Sequence, residues 1–412
     1  TPDELAEAAE YIRFLNRSTG KVRTGIGAAR EDVNVSCEGG NRAEIKGVAH
    51  IKWIPELSHN EAFRQYALLN IRSKLKKIIP DPAAWKLKSR EITESENHFH
   101  FAPVRAALDR GEKVIAINLP GCRGILSHFT QPGLIFADEI SDRLKVIACI
   151  EKPNMIHSEE IGERNFNSLF PEVAIWLSAS DDDAQIILWG PEEDIPTAIE
   201  TVDERIRLAL EGVPLETRKS FADGTTMFER VLPGRDRMYP DTDSQPLPVT
   251  SEMLERLAKN QPKEIALRFR QMKEWNLPED TWHYLLSKNL VALIERVGDE
   301  LEFDYREAGI ILGHRFRNLE GRGRVAEGFS YERLYDLFEF ISRKKMLPPV
   351  ARLMLPEVVA TPQPDFEKIL ASIGYKPESM EQIKGRVKDL DRKFAEICYD
   401  GRSVSSVDWI MG

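Results

Sequence analysis

The chain has 412 residues and a formal net charge of −10, from 57 basic and 67 acidic residues. This length predicts about two to four domains. The excess of acidic residues argues against a nucleic-acid-binding protein that is basic over its whole surface, although it permits a local basic surface. Four cysteines without paired spacing predict a reducing, cytoplasmic location and argue against a zinc ribbon or a disulfide scaffold. The lack of a long apolar run or a signal peptide argues against a membrane partner.

A helix is predicted at the start of the chain, because Pro2 and Asp3 suit a helix N-terminus. Its expected buried stripe consists of Leu5, Ala8, Ala9, Ile12 and Leu15. The chain opens without a methionine, so we expect a segment to precede Thr1 in the whole protein.

The next stretch predicts two strands joined by a tight turn. Apolar and polar residues alternate from Asp32 to Cys37 and again from Ala43 to Lys46, which is the period of a strand. The turn is Glu-Gly-Gly-Asn at 38–41, since glycine adopts positive φ at little cost. One face of this hairpin then carries Arg30, Asp32, Asn34, Ser36, Arg42, Glu44 and Lys46.

This polar face could hold a metal ion, a phosphate or both. The alternative is an ordinary solvated face, which antiparallel hairpins often have. Gly25 and Gly27 before the first strand, with the two glycines of the turn, favour a ligand, because glycine lets a backbone approach a bound group closely.

A second helix is predicted from Ser58 to Lys77, and its last turns, 72–77, are basic. A favourable helix C-terminus and a solvated face explain this run better than an RNA contact does. An α+β unit of ordinary domain size begins at about Lys113, with strands predicted at 113–119, 146–150 and 185–189 and a long helix at 194–211. It lacks a glycine-rich phosphate loop, so a nucleotide site is not expected inside it.

A polar stretch bracketed by prolines lies within 233–246 and contains Arg237, Tyr239 and Asp241. Arginine and aspartate in a restricted segment suit the edge of a phosphate or metal site, but a linker is the alternative.

From Thr250 onward the pattern is helical, and Ser251 is the expected N-cap of the first helix. A basic loop is predicted at 315–324, and a proline-rich stretch at 347–364 is expected to separate the last helical unit.

Several motifs occur in one order along the chain and carry a resemblance. They are Val22-Arg-Thr-Gly-Ile-Gly27, Arg30-Glu-Asp-Val-Asn-Val-Ser36, Gly40, Ala43-Glu-Ile-Lys-Gly47, Leu119-Pro-Gly121, Leu210-Glu-Gly-Val-Pro214, Glu216-Thr-Arg218 and Arg237-Met-Tyr-Pro-Asp-Thr-Asp243. Together they resemble the E-type subunit of archaeal glutamyl-tRNA(Gln) amidotransferases and its bacterial relative, the B-type subunit. The two longest motifs are specific, and the resemblance spans essentially the whole chain.

The resemblance implies an α+β, multidomain protein with a mostly antiparallel cradle sheet, an α+β insertion domain, and all-α helical and tail domains. The implied boundaries are 1–112 and 221–249 for the cradle, 113–220 for an insertion like that of aspartyl-tRNA synthetases, 250–350 for the helical domain and 351–412 for the tail. The first half of the cradle and the end of the tail are expected to be missing, so this chain alone should be inactive.

The implied reaction uses ATP to phosphorylate the glutamate carried by tRNA(Gln) and then replaces the phosphate with ammonia. The implied partner is an asparaginase-like D-type subunit, in a heterotetramer, which supplies the ammonia. By the same resemblance, Asp32 and Glu44 are expected to hold Mg²⁺. Arg30 and Lys46 are expected to neutralise the charge that develops during phosphoryl transfer.

The expected nucleotide-binding residues are Gly25, Gly27, Asn34, Arg237, Tyr239 and Asp241. Two other interpretations remain. One is a non-catalytic tRNA-binding scaffold that contacts phosphates through 315–324 and Lys344-Lys345, and the other is an assembly protein that only docks an ammonia-producing partner.

Overall fold

The computed structural model describes residues 1–23, 25, 28, 30–92, 101–160, 169–232, 248–259, 261–375 and 380–397. Its strands are β1 Glu31–Val35, β2 Ala43–Val48, β3 Lys88–Glu91, β4 Lys113–Leu119, β5 Phe129–Gln131, β6 Leu134–Ile135, β7 Met155–His157, β8 Ala184–Gly190, β9 Glu216–Ser220 and β10 Thr226–Val231. The helices up to β10 are α1 Pro2–Ser18, α2 Ile54–Ile78, α3 Ala102–Asp109, α4 Phe136–Ile147, α5 Phe170–Leu177 and α6 Ile195–Glu211. The later helices are α7 Ser251–Lys259, α8 Ile265–Glu274, α9 Glu279–Ser287, α10 Val291–Leu301, α11 Tyr305–Ile310, α12 Arg317–Gly321, α13 Glu332–Arg343, α14 Pro349–Val359, α15 Phe366–Ser372 and α16 Met380–Ile397.

The chain forms two compact units. The first comprises Thr1–Ile12 and Arg23–Arg256, and the second comprises Arg13–Val22 and Leu257–Gly412. Both sheets described below belong to the first unit, whereas the described part of the second is helical. This confirms the α+β, multidomain class expected from the sequence, while the five-part division of the chain stays a prediction.

One sheet of the first unit has the strand order β1-β2-β9-β10. The predicted hairpin is confirmed, because β1 and β2 pair antiparallel with Asn34 opposite Glu44 and Val35 opposite Ala43. β2 pairs with β9 in parallel, and β9 pairs with β10 antiparallel. We call this the hairpin sheet, since it joins the hairpin to residues 216–231.

The other four-stranded sheet has the order β3-β4-β8-β7, with antiparallel pairs throughout. Its central strands β4 and β8 are apolar on both faces, because helices cover both. Ile117 and Ile186 pack against α2, α4 and α6, whereas Val114 and Trp189 pack against α3 and α5. A sheet that is buried on both sides reads as continuous apolar runs, and this is why the sequence revealed these two strands clearly.

A buried ion-pair network lies between the hairpin sheet and the helices beneath it. It consists of Glu61 and Arg64 of α2, Glu139 and Arg143 of α4, Arg205 of α6, and Glu216 and Arg218 of β9, each no more than 4% exposed. Arg64 Nη1 donates to Glu139 Oε1 at 2.6 Å, and its Nη2 lies 3.0 Å from Glu216 Oε1. Four elements are thereby held together by charged hydrogen bonds from which water is excluded.

The remaining donors of this network face aromatic rings. The guanidinium carbon of Arg143 lies 4.2 Å from the ring centre of Phe228, and that of Arg205 lies 4.4 Å from the ring centre of Phe136. Buried nitrogens on both arginines have no hydrogen-bond partner among the described residues. Cation–π attraction is therefore the interaction that offsets part of their desolvation.

The network also reaches the hairpin through Gln65. Its amide nitrogen donates to Glu61 Oε1 at 2.9 Å and to the carbonyl of Val35 at 3.0 Å. Its amide oxygen accepts from the backbone N–H of Cys37 at 2.9 Å. The end of β1 is thus tied to the same buried charges that bind β9 to α2 and α4.

The second unit has one apolar core, formed by α8–α14 with Phe14 of α1. Glycines allow close packing within it. A Cβ added at Gly313, in a π-helical turn at Ile311–Phe316, would lie 2.6 Å from Cβ of the fully buried Thr281. No helix among the described residues of either unit is long and apolar enough to cross a membrane.

The predicted stripe of α1 is wrong, since Leu5, Ile12 and Leu15 are exposed and Phe14 is the buried residue. Phe14 is flanked on its helix face by arginines, and Arg17 donates to the carbonyl of Ser287. Because only one residue of that face is apolar, counting hydrophobic residues misses it.

The strand predicted at 146–150 is also wrong. Val146 and Ile147 end α4, and Cys149 follows with a left-handed φ of 59°. The strand that pairs with β8 there is β7. A short run of apolar, β-branched residues fits the end of a buried helix as well as a strand, so the pattern alone does not separate the two.

Two predictions for the second unit fail because apolar anchors lie among charged or proline residues. Phe316 and Leu319 are buried, so 315–321 is helical rather than a basic loop. Val350 and Met354 belong to the main core, so α14 does not separate the last helices from it.

The predicted cap of α7 is also wrong. The cap is Thr250, whose Oγ1 accepts a hydrogen bond from the backbone N–H of Met253, rather than Ser251.

We predict that Glu139→Gln destabilises the first unit by about 3–5 kcal/mol, because buried Arg205 loses its counter-ion and buried Arg64 keeps only Glu61 and Glu216. Hydrogen exchange of α2, α4 and β9 amides measures this loss. Glu211→Gln is the matched control, because Glu211 is exposed on α6 and forms no ion pair among the described residues. Equal protection in the two variants would contradict the role assigned to the network.

The same network predicts how stability depends on pH. Burial alone would raise the pKa of Glu139, but the charges of Arg64 and Arg205 hold it well below its ordinary value of 4.5. This stabilisation is complete above pH 4.5 and is lost as the pH falls toward the folded-state pKa. Acid titration of the unfolding free energy should therefore have a shallower slope below pH 4.5 in Glu139→Gln than in the unaltered protein.

Gly313→Ala should destabilise the second unit by about 1–3 kcal/mol, because the new methyl group overlaps Thr281. Gly321→Ala is the control, since a Cβ there meets no atom within 4 Å and alanine favours the helix by up to about 1 kcal/mol. Thermal unfolding of the two variants should shift in opposite directions. A stable Gly313→Ala variant would show that α9 is not held closely against the π-helical turn.

Candidate active site on the hairpin sheet

The hairpin sheet has one buried face and one more exposed, polar face. Val33, Ala43 and Ile45 are buried on the side of α2, together with the charged residues of β9 that belong to the network. The alternate positions Asp32, Glu44 and Lys46 lie on the other side. The alternation predicted from the sequence is thus confirmed for both strands of the hairpin.

Asp32, Glu44 and Lys46 form one cluster on the polar face. Lys46 Nζ lies 2.7 Å from Glu44 Oε1 and 3.2 Å from Asp32 Oδ2. The second oxygen of Asp32 accepts from the backbone N–H of Gly47 at 3.0 Å. One ammonium therefore lies between two carboxylates, and three of the four residues predicted to be catalytic are in direct contact.

The ionisation of this cluster follows from these contacts. The N–H of Gly47, more than the charge of Lys46, holds the pKa of Asp32 below its ordinary value. The hydrogen bond to Glu44, followed by the one to Asp32, raises the pKa of Lys46. Both shifts favour the charged forms of Asp32 and Lys46, and we call these two residues together with Glu44 the charged triad.

The other predicted residues of the hairpin lie around this triad. Arg30 is exposed, and its charge reaches Asp32 and lowers the pKa of that carboxyl further. Asn34 is exposed opposite Glu44 and makes no side-chain hydrogen bond with the described residues. Gly25 has a φ of 122°, which suits glycine alone, and no atom lies within 4 Å of the Cβ position it leaves open.

Gly27, Arg237, Tyr239 and Asp241 lie outside the described residues. Their predicted roles at the nucleotide therefore stay predictions.

The polar face continues onto β9 and β10. No residue of these two strands is among the predicted site residues. Lys219 is the register partner of Lys46, and Thr217 is the partner of Glu44. Thr217 Oγ1 donates to Glu229 Oε2 at 3.2 Å. The alternation within 216–220 and 226–231 is the same signal as in the hairpin, but only pairing between distant strands brings these residues to one face.

The carboxylates of the triad fit one way of holding Mg²⁺. Among the described residues, no three His, Cys, Asp or Glu side chains are grouped closely enough to bind a metal ion by themselves. Mg²⁺ in phosphate-processing sites, however, usually takes only one or two protein carboxylates, with phosphate oxygens and water completing its shell. Asp32 and Glu44 would supply these two carboxylates if Lys46 left its contacts with them and bound a phosphate oxygen instead.

A cavity of about 520 Å³ lies elsewhere in the first unit. It is lined by the ends of α3 and β8 and by the loop after α4, including Arg110, Cys149, Lys152 and Trp189. No residue of the triad lines it, so the cavity and the polar face are separate features.

Comparisons with known proteins agree on one family. A model described as the GatB/GatE catalytic domain matches residues 1–255. The E-type subunit of the glutamyl-tRNA(Gln) amidotransferase of Methanopyrus kandleri is 31% identical over 370 residues, which cover 89% of this chain and 57% of that protein. Its counterpart from Sulfurisphaera tokodaii is 33% identical over 300 residues, covering 72% and 48%.

The counterpart from Pyrococcus furiosus is 29% identical over 398 residues, which cover 96% of this chain and 62% of that protein. The chain thus spans about half to three-fifths of the length of these relatives. The family match covers more than half of its 412 residues and includes the whole hairpin sheet with its polar face. The chain therefore belongs to the GatB/GatE family.

Proposed function

We propose that the chain is part of a subunit of a tRNA-dependent amidotransferase, which converts glutamate carried by tRNA(Gln) into glutamine. Membership of the GatB/GatE family supports the class of reaction. The names of the relatives support the substrate, since each is called a subunit of a glutamyl-tRNA(Gln) amidotransferase. The single observation on this chain that supports a catalytic role is the charged triad on the polar face.

The proposed reaction has two steps. An oxygen of the glutamate γ-carboxylate attacks the γ-phosphorus of ATP, ADP leaves, and an acyl phosphate forms. The nitrogen of ammonia then attacks the acyl carbon, phosphate leaves, and a proton is lost from the nitrogen to give the amide. An asparaginase-like D-type subunit, in a heterotetramer with this protein, is the proposed source of the ammonia.

The triad suits the first step because phosphoryl transfer depends on positioning and on neutralising charge. Lys46 and Arg30 are the proposed partners of the phosphate oxygens, where cations stabilise the charge of the transition state. Asp32 and Glu44 are the proposed Mg²⁺ ligands. The ion, when bound with ATP, would screen the charge of the phosphates.

The remaining predicted residues surround this centre in the proposal. Asn34 would orient an oxygen of the ligand, and Gly25 with Gly27 would let the backbone approach the nucleotide. Arg237, Tyr239 and Asp241 would close the site from the segment that follows β10.

The alternative is a tRNA-binding scaffold without catalysis. Arg315 and Arg322 in the second unit are exposed, and neither forms an ion pair among the described residues. Such residues favour contact with a phosphate backbone. This function requires no ATP, and a single assay therefore separates the two proposals.

We predict that Asp32→Asn, Glu44→Gln and Lys46→Met each lower the rate of Gln-tRNA(Gln) formation by about 10²–10³-fold, because each removes a charge from the phosphoryl-transfer centre. The assay measures ATP consumption and Gln-tRNA(Gln) from Glu-tRNA(Gln). It uses the full-length protein with its ammonia-producing partner, and ammonium chloride as a second nitrogen source.

Glu38→Gln is the matched control, since Glu38 is an exposed carboxylate in the turn of the same hairpin. tRNA binding should be nearly unchanged in all four variants. Normal turnover of Asp32→Asn and Glu44→Gln would contradict the proposed site. Full tRNA binding without any ATP consumption by the unaltered complex would favour the scaffold.

A further inference from the structure

The outward face of α2 carries large aromatic side chains that the described residues of the first unit leave exposed. Phe63 is 40% exposed and Tyr66 is 62% exposed, and Phe129 of β5, which is 47% exposed, lies beside them. The ring centres of Phe63 and Phe129 are 5.9 Å apart with an interplanar angle of 68°. This aromatic group lies on the opposite side of α2 from the buried residues Glu61, Arg64 and Gln65.

The helix becomes basic toward its end. Lys74, Lys76 and Lys77 are exposed, and none forms an ion pair with a residue that the structure describes. After Glu56, every exposed residue of α2 is neutral or basic. Burial lowers the pKa of His128, which precedes Phe129 in the chain, and the charge of Lys74 lowers it further.

Three lysines that form no ion pair with a described residue lie within four residues at the end of α2. The net charge of the chain is −10. Lys52, Lys86, Lys88 and Lys219 of the first unit also lack an ion pair among the described residues, whereas Lys113 pairs with Glu91 and Lys145 with Glu151. The cationic end of α2 is therefore one place where the charge of the first unit complements a polyanion. We call the three lysines and the aromatic group Phe63, Tyr66 and Phe129 the α2 surface.

The combination of exposed rings with unpaired lysines favours one kind of ligand. Unpaired bases stack on aromatic side chains, and the phosphates between them are attracted by nearby cations. A protein partner fits less well, because lysine is depleted in the cores of protein interfaces. Duplex RNA fits less well too, because its bases are already stacked on each other and offer no free face.

We propose that the α2 surface binds unpaired nucleotides of an RNA, with bases stacked on its aromatic rings and phosphates next to its lysines. This inference rests on the proposed function only in taking that RNA to be a tRNA. It assigns an RNA contact to the basic end of α2, where the sequence alone favours a solvated face, while the buried side of the helix supports the hairpin through Gln65.

The test measures binding of a short single-stranded RNA oligonucleotide to the full chain by fluorescence anisotropy, with a duplex of the same sequence as the second probe. Phe63→Leu and Tyr66→Leu keep an apolar side chain but remove the ring. Each should weaken binding of the single strand by about tenfold. Lys74→Gln should lower the slope of log affinity against log salt by about 0.7, the contribution of one phosphate contact on a single strand.

Phe221→Leu is the matched control. Phe221 is also an exposed aromatic residue of the first unit, with Lys219 Nζ 5.7 Å from its ring centre, but it lies outside the α2 surface. Its variant should bind the single strand as the unaltered protein does. Equal weakening in Phe221→Leu, or equal affinity of the unaltered protein for duplex and single strand, would overturn the inference.

Two further outcomes distinguish this inference from the proposed function. If Phe63→Leu and Tyr66→Leu keep full RNA affinity but lose the ammonia-producing partner on gel filtration, the α2 surface is a protein interface and the inference is wrong. If both variants lose RNA affinity while the unaltered complex forms no Gln-tRNA(Gln), the inference holds and the proposed function fails.

Discussion

The architecture of the first unit depends on the buried network of four arginines and three glutamates. Its members come from α2, α4, α6 and β9, which lie far apart in the sequence, and each is no more than 4% exposed. Apolar packing is tolerant of small sliding movements, whereas charged hydrogen bonds at 2.6–3.0 Å are not. Removal of water makes each unpaired charge costly, so the network permits one relative placement of these elements.

This placement extends to the candidate site on the other face of the sheet. Gln65 links the network to the end of β1, and Glu216 and Arg218 are themselves residues of β9, the parallel neighbour of β2. The polar face can then be solvent-accessible while its strands stay in register. The triad Asp32, Glu44 and Lys46 is thus a set of partly exposed charges on the opposite face of the sheet from the buried ones.

Much of the fold could be predicted from the sequence where one local pattern determines one element. The hairpin and α6 have strict periodicity, β4 and β8 are continuous apolar runs, and all of them follow these patterns closely. The prediction failed where one or two buried apolar residues determine the structure. In α1 Phe14 alone is buried, and in 315–321 Phe316 and Leu319 hold a helix among arginines. For the site, alternation identified Asp32, Glu44 and Lys46, but it did not identify Thr217 or Lys219.

The sequence by itself determined the family, the fold class and the two-sided character of the hairpin, because alternation and motif order are properties of neighbouring residues. Only the tertiary structure decided that β9 lies beside β2, that Lys46 lies between two carboxylates, and that Arg64 pairs with Glu139 and Glu216. These contacts join residues distant along the chain, and their energies depend on the exclusion of water. Neither property is visible in a local pattern of residue types.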